Sequence, residues 1–341
     1  MLKEFCITPQ VFDAKNLSSY YPYLKILLEI IESSGYIIDL NNGAWARATR
    51  NIINNSQQNE NQKNKLNSIY DFLKDRHRIV GHPKGSISPN TEEDWLSVIE
   101  ELNNLRELNV VLATKKYKST TLTLEQLEDI NISESFGITG SEHYVKSAKE
   151  LKIIFLPLLS YAKKVTIIDP YFNISIPRFK DTLYLIAQTF KEKRGTRTSG
   201  GTITINLSIK VFIKKYDNQD SKEELDKIIS QRINDSYHKK WKKIIEDIYI
   251  KYQHSVKIYV WDRKEEDTLK MHDRYIITDQ AGISSAAGTD KDEYQLSEWS
   301  IKTYSSSIDM LSKYKAQRDD TNDVSIFRLK YEVNNLGILN K

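Results

Sequence analysis

The strongest fold signal in the chain is Thr202-Ile-Thr-Ile-Asn-Leu-Ser-Ile-Lys-Val-Phe-Ile-Lys214, in which every second residue is apolar. Alternation at a period of two is typical of a β-strand. Shorter β-rich runs at Lys164–Asp169 and Val256–Trp261 flank this stretch, and helical patterns at 178–193 and 221–249 separate the three runs. Strands that alternate with helices predict an α/β fold with a mixed or parallel sheet.

The first part of the chain has a different pattern, which indicates a mostly helical domain. Leu24, Leu27, Leu28 and Ile31 follow the i, i+3, i+4, i+7 spacing of an apolar helix stripe, and Gly35 ends that helix. Further helical patterns cover 44–54, 66–78 and 90–108, the last with Thr91 as N-cap and Asp94 at the capping-box position. Residues 114–142 are rich in Thr, Ser, Glu and Gly and are interpreted as a linker or domain boundary. We therefore expect a helical domain over 1–135 and an α/β domain over 143–341.

The composition is that of a folded protein with two domains. The chain has 341 residues, 39% hydrophobic and 28% charged. Its apolar runs are shorter than the roughly 20 residues that cross a bilayer, and the N-terminus does not resemble a signal peptide. Cys6 is the single cysteine, which excludes a disulfide framework, and it is interpreted as a small buried hydrophobe. A cytoplasmic location is expected.

Charge is distributed unevenly along the chain. The net charge of +4 divides into about −3 for residues 1–135 and about +7 for the remainder. A basic C-terminal part suits an anionic ligand such as nucleic acid, a nucleotide or a phospholipid headgroup.

One motif in the basic part has a spacing suited to phosphate chemistry. In the run Met271-His-Asp-Arg-Tyr-Ile-Ile-Thr-Asp279, His272 is followed two residues later by Arg274 and seven residues later by Asp279. Residues i and i+2 of an extended strand face the same side, so a strand here would aim an imidazole and a guanidinium at one anion. The structural alternative is a satisfied polar network at a strand edge.

The spacing His-x-Arg-x4-Asp resembles the His-x-Lys-x4-Asp signature of the phospholipase D superfamily, with Arg274 in place of lysine. Gly288-Thr289-Asp290 stands where the family has a Gly-Ser-x-Asn element. The resemblance covers about residues 145–330. Within the superfamily, this region loosely resembles the phospholipase-D-like C-terminal domain of MIT-domain proteins, which also contains the sequence His-Asp-Arg. The resemblance implies a phospholipase-D-like α/β sandwich in the C-terminal domain.

The resemblance also implies roles for individual residues. His272 would be the nucleophile that forms a phosphohistidine, or the acid that protonates the leaving oxygen. Arg274 would hold the phosphoryl oxygens in bidentate fashion, and Asp279 would orient the site. Thr289 would donate a hydroxyl to the phosphate, whereas a carboxylate at Asp290 would repel it unless turned aside.

The number of motifs bears on assembly. Members of the superfamily combine two such motifs in one active site, and this chain contains one, because its other histidines do not fit the spacing. The resemblance therefore implies a homodimer in which two copies of His272 face each other. It implies no cofactor and no metal ion.

Two further groups are candidate ligand contacts. Asp169 ends a strand, a position that often faces ligands in α/β sheets, although a buried turn role is the alternative. A cationic run on the long helix comprises Lys239, Lys240, Lys242 and Lys243 around Trp241. This run is typical of phosphate-tracking surfaces, and the alternative is a solvated helix face with Trp241 packed inward.

The first half offers an acidic set that no spacing rule supports as a metal site: Asp13, Asp39, Asp71 and Asp75.

Taken together, the sequence predicts a phosphodiesterase, most simply a metal-independent nuclease that acts through His272. A non-catalytic module of the same fold, which binds nucleic acid or anionic phospholipid through Arg274, is the alternative. A third reading is a bacterial defence or toxin effector in which residues 1–135 bind a protein partner or regulate the C-terminal domain.

Overall fold

The computed structural model describes residues 2–55, 60–83, 88–105, 108–118, 121–136, 141–192, 200–214, 221–263, 271–272, 274–314 and 327–340. The chain divides into two compact units, with the division between Gly140 and Ser141. Within the described ranges, no helix combines the length and the apolar character needed to cross a bilayer.

The first unit is built on a five-stranded parallel sheet with the strand order β3-β2-β1-β4-β5. The strands are β1 (Lys3–Ile7), β2 (Gly35–Asp39), β3 (Ile79–Gly81), β4 (Val110–Ala113) and β5 (Thr121–Thr123). The helices are α1 (Ala14–Ser34), α2 (Leu40–Asn55), α3 (Glu60–Asp75), α4 (Glu92–Leu105), α5 (Leu124–Asp129) and α6 (Ile132–Phe136). In α2 the backbone of Asn41, Asn42 and Gly43 is left-handed, so the regular helix begins at Ala44, as the sequence predicted.

The helices of this unit largely follow the expected pattern. Leu24, Leu27, Leu28 and Ile31 are all buried in the α1 stripe, and Gly35 follows the last residue of α1. Thr91 accepts a hydrogen bond from the Asp94 backbone N–H at 3.2 Å, which confirms the predicted cap of α4. Cys6 is buried, as expected.

The central sheet is the feature that the helical interpretation lacks. Its strands have only three to five residues, and β1, β2 and β4 are mostly buried on both faces, so the sheet shows no extended alternation of polar and apolar residues. Residues 114–142 are not a linker, because β5, α5 and α6 lie there, but the division between the two units does fall within this region. Thr123 and Gln126 form a reciprocal capping box at the start of α5, which accounts for the polar composition of this stretch.

One buried cation in the first unit is poorly compensated. Arg78 is 0% exposed, and its three guanidinium nitrogens have no hydrogen-bond partner among the described residues. Its guanidinium carbon lies 5.6 Å from the ring centre of Tyr36. Burial lowers the pKa of the Arg78 guanidinium, partly offset by Tyr36 and Glu32.

We therefore predict that Arg78→Met raises the free energy of unfolding by about 1–3 kcal/mol, since a hydrophobic side chain of similar length removes the desolvation penalty of a buried cation. Urea denaturation of the full chain measures this change. The control is Lys74→Met at an exposed position, where the free energy of unfolding should change by no more than about 0.5 kcal/mol. A clear loss of stability in Arg78→Met would contradict the prediction.

The second unit contains a nine-stranded mixed sheet in the order β14-β13-β9-β8-β7-β10-β11-β12-β6. Its strands are β6 (Glu142–Val145), β7 (Lys164–Ile168), β8 (Thr202–Ser208), β9 (Ser255–Arg263), β10 (Tyr275–Thr278), β11 (Gly282–Ser285), β12 (Leu296–Lys302), β13 (Phe327–Asn334) and β14 (Gly337–Asn340). Its helices are α7 (Ala148–Leu159), α8 (Pro177–Lys191), α9 (Lys222–Ser236), α10 (Lys242–Tyr252) and α11 (Tyr304–Ser312). The expected α/β class and mixed sheet are confirmed.

Strand β8 is shorter than its alternating sequence predicts. It ends at Ser208, and a 3-10 turn follows at Ile209–Phe212. The Ser208 hydroxyl accepts the Lys210 backbone N–H at 3.3 Å, and the Ser208 N–H donates to the Pro170 carbonyl at 3.1 Å. These bonds turn the chain away from the sheet. The Ser208 side chain thus competes with the strand hydrogen bonds, and the alternating sequence pattern gives no sign of that competition.

Strand directions decide where the functional residues gather. Strands β7, β8 and β9 are parallel to one another, and β10 pairs with β7 in the antiparallel sense. The carboxyl ends of β7–β9 therefore share one edge of the sheet with the start of β10. The loop after β11 and the residue after β6 reach the same edge, because these strands continue the antiparallel pattern.

Candidate functional site

Arg274 occupies the sheet edge at the start of β10. Its Nη1 donates to the Ala286 carbonyl at 2.9 Å, and its guanidinium carbon lies 5.9 Å from the ring centre of Tyr171. The Arg274 carbonyl accepts the Ser285 backbone N–H at 3.0 Å. The backbone of Arg274 is thus bonded to the last residue of β11 and its guanidinium to the residue that follows, which holds the guanidinium at the edge.

His272 is exposed and lies two residues before Arg274. The expectation that the two share one face of a strand is wrong, because β10 begins only at Tyr275. Asp273 and residues 264–270 lie outside the described residues. The structure therefore brings His272 and Arg274 to the same end of β10 without strand geometry between them.

Asp279 lies at the opposite end of β10. Its Oδ1 accepts the backbone N–H groups of Lys163 and Lys164 at 2.8 and 3.2 Å, at the start of β7. The four-residue strand separates it from Arg274 by about 15 Å, at roughly 3.3 Å per residue. The structure does not bring Asp279 to the site, and the carboxylate closes a turn on the far edge.

Asp169 and Thr289 meet at the site edge, although 120 residues separate them in sequence. Asp169 Oδ2 accepts the Thr289 hydroxyl at 2.8 Å and the Thr289 backbone N–H at 3.1 Å, and Oδ1 accepts the Tyr171 N–H at 2.9 Å. Asp169 is 1% exposed and Thr289 is 0% exposed. Their bonding favours a structural role, in which they join the loop after β7 to the loop after β11.

Asp290 is held by two cations, Lys146 and Arg178, that no sequence pattern indicated. Its Oδ1 lies 2.9 Å from Nζ of the wholly buried Lys146, and its Oδ2 lies 3.4 Å from Nε of Arg178. Lys146 also donates to the Ala287 carbonyl at 3.2 Å. The carboxylate is therefore turned aside and neutralised, which answers the concern that it would repel a phosphate.

The cationic run on the long helix divides into an inward and an outward part. Residues Tyr237–Trp241 form a π-helical turn between α9 and α10. Trp241 is 0% exposed and its Nε1 donates to Ser175 Oγ at 2.8 Å, so the inward packing of this ring is confirmed. The exposed members are Lys239, Lys240, Lys242 and Lys243. Because Lys240 Nζ donates to the Ser175 carbonyl at 3.2 Å, the run adjoins the loop that carries Asp169 and Tyr171.

The aspartates of the first unit are the remaining candidates for metal ligands. Within the described part of the chain, no group of three or more His, Cys, Asp or Glu side chains could hold a metal ion. Asp71, one of the four aspartates of the first unit, forms an ion pair with Arg50.

The Lys146–Asp290 pair is open to a direct test. We predict that Lys146→Met lowers the free energy of unfolding by about 3 kcal/mol, because it leaves Asp290 buried beside only the longer contact to Arg178. Adding Asp290→Asn should restore part of the loss. Urea denaturation gives both values.

The matched control is Lys152→Met, which removes a partly exposed pair between Lys152 Nζ and Glu192 at 2.7 Å. Its expected cost is about 0–1 kcal/mol. Equal losses in Lys146→Met and Lys152→Met would contradict the structural role of the buried pair.

The fold and the site describe an α/β protein whose second unit gathers cations at one sheet edge. The sequence matches no protein-family profile and no curated protein. Among solved structures it is similar to TrmBL2, an archaeal chromatin protein described as showing a novel mode of DNA binding. The two share 12% identity over 74% of this chain and 81% of that chain, with a TM-score of 0.24. A score this low does not establish a common fold.

Proposed function

We propose that the second unit is a phospholipase-D-like phosphodiesterase that cleaves nucleic acid without a metal ion, with His272 as the nucleophile. The observation that supports the proposal is the exposed His272 two residues before Arg274, whose guanidinium is held at the sheet edge by the Ala286 carbonyl. The lysines of the π-helical turn adjoin the same loop system. The +7 charge of this part of the chain supports an anionic substrate.

The proposed reaction has two displacements. An imidazole nitrogen of His272 attacks phosphorus, so a P–N bond forms while the P–O bond to the leaving nucleotide breaks. The imidazolium of His272 from a second copy of the chain protonates the leaving oxygen. Water then attacks the phosphorus of the phosphohistidine, and the P–N bond breaks. A proton of that water passes to the second imidazole. Arg274 holds the nonbridging oxygens in both steps.

We predict that the purified chain cleaves single-stranded or double-stranded DNA or RNA in EDTA, and that His272→Ala lowers the rate at least about 100-fold, because the nucleophile is lost. End-labelled oligonucleotides resolved on a gel measure the rate. His143→Ala, which removes an exposed histidine on β6, serves as the control and should cleave like the wild type. No cleavage by the wild type, or cleavage that survives His272→Ala, would remove the hydrolytic proposal.

The two-copy arrangement has its own readout. Mixing wild-type protein with excess His272→Ala should lower the activity per wild-type chain if one site needs both histidines. Activity strictly proportional to the wild-type chain would contradict shared sites.

A non-catalytic binding module is the second candidate, and a specific observation favours it. Asp279, the carboxylate that the resemblance places in the site, is bonded to backbone N–H groups at the far end of β10. His272 therefore lacks that carboxylate as an orienting group, whereas Arg274 keeps the fixed geometry that anion binding needs.

For this candidate we predict that Arg274→Glu weakens nucleic-acid binding at least about tenfold, because a guanidinium contact to phosphate becomes a repulsion, while His272→Ala binds like the wild type. Fluorescence anisotropy with labelled oligonucleotides measures the affinity. Lys164→Glu makes the same charge change at the opposite sheet edge and is the control. Equal effects of the two reversals would count against a site at Arg274. Binding only to phosphatidylserine vesicles would reassign the ligand to a lipid headgroup.

A further inference from the structure

Tyr171 forms a rigid exposed platform beside the proposed site. Tyr171 is 49% exposed, although Phe172 and Ile174 in the same loop are 0% and 1% exposed. The Tyr171 N–H is bonded to Asp169 Oδ1 at 2.9 Å, and the Phe172 N–H donates to the Asp169 carbonyl at 3.1 Å. The backbone under the ring is therefore fixed, so stacking on this aromatic face costs little ordering of the protein.

Cations from two other segments contact the platform and its loop. The guanidinium carbon of Arg274 lies 5.9 Å from the ring centre of Tyr171. Four residues after Tyr171, Ser175 accepts hydrogen bonds from Lys240 Nζ at 3.2 Å and from Trp241 Nε1 at 2.8 Å. Because Trp241 is wholly buried, it anchors the lysine-bearing turn to the loop of Tyr171.

Most of these cations retain their charge for a ligand. Lys240 is bonded to a carbonyl, which does not neutralise it. Lys239 forms a surface ion pair with Asp235 at 3.2 Å, and its side chain is 71% exposed, so solvent and salt screen the pair strongly. Lys242 and Lys243 are exposed on the first turn of α10.

An exposed aromatic ring with cations at the ring and on its loop favours one class of ligand. Phosphates of a single strand can follow the cations while an unpaired base stacks on the ring, an interaction that every base can make. The bases of a duplex are already stacked on each other, and a lipid headgroup or free phosphate has no planar base for the ring. We propose that the second unit binds single-stranded nucleic acid along a path from Arg274 over Tyr171 to the lysines at 239–243.

This inference rests on the nucleic-acid ligand of the proposed function, but it does not depend on cleavage. The test measures binding of the full chain by fluorescence anisotropy, with DNA and RNA versions of a labelled single strand, its duplex, and a single strand of the same length without bases. Tyr171→Ala should weaken single-strand binding roughly tenfold. It should leave the baseless strand and the duplex within about twofold of wild type.

Two further variants keep the result interpretable. Tyr171→Phe retains the ring and should bind like the wild type, whereas Tyr171→Leu retains apolar bulk without the π-face and should bind like Tyr171→Ala. Lys242→Glu combined with Lys243→Glu should weaken all nucleic-acid probes and reduce the salt dependence, relative to the double control Lys163→Glu with Lys164→Glu.

The outcomes separate this inference from the proposed function. Single-strand preference with no cleavage in EDTA would support the path and overturn the nuclease. Cleavage that requires His272, together with unchanged binding in Tyr171→Ala, would overturn the path alone. Equal affinity of wild type for single strand and duplex would also overturn the path. No binding to any nucleic-acid probe would overturn both.

Discussion

The site of the second unit depends on the hydrogen bonds that the buried Asp169 carboxylate accepts. The carboxylate accepts hydrogen bonds from the loop after β7 and from the loop after β11, and so it fixes two segments that come from distant parts of the chain. A buried carboxylate is stable only when its oxygens are satisfied, which makes the arrangement of both loops obligatory. The loop after β7 carries Tyr171, and the loop after β11 supplies the Ala286 carbonyl that holds Arg274.

A second layer of charge supports the same loops. Lys146 and Arg178 neutralise Asp290, and Lys146 also binds the Ala287 carbonyl next to Ala286. Because the cations and the aromatic ring are held in place, little side-chain ordering would be lost when a ligand binds, which favours affinity. The site is therefore preorganised by buried groups that do not themselves reach the surface.

The sequence predicted those features that depend on local patterns. The α1 stripe, the Thr91 cap and the alternation of strands with helices in the second half are all local, and the structure has them. Most of the first sheet was not predicted, because strands of three to five residues are too short to show a periodicity that distinguishes them from helical segments. Strand β8 was predicted too long, since the hydrogen bonds of Ser208 compete with the ladder.

For the site, residue spacing indicated His272 and Arg274 but could not indicate their partners. Lys146 and Asp290 are 144 residues apart, and only the strand order brings them together. The spacing that joined Asp279 to the motif reflects sequence proximity, whereas an extended strand separates its ends in space. Lys239, Lys240, Lys242 and Lys243 required the π-helical turn and its bond to Ser175 before their relation to the site was visible.

The position of Asp279 has a consequence for any mutational scan of this motif. His272 and Arg274 lie at one end of β10, and Asp279 secures the turn that begins β7 at the other end. Substitution of His272 or Arg274 would act at the proposed site, whereas substitution of Asp279 would act on the packing of the two central strands β7 and β10. Soluble yield and melting temperature, scored beside activity, would separate the two kinds of loss. If substitution of Asp279 lowers the soluble yield and the melting temperature together with activity, Asp279 is required for folding and does not take part in the chemistry.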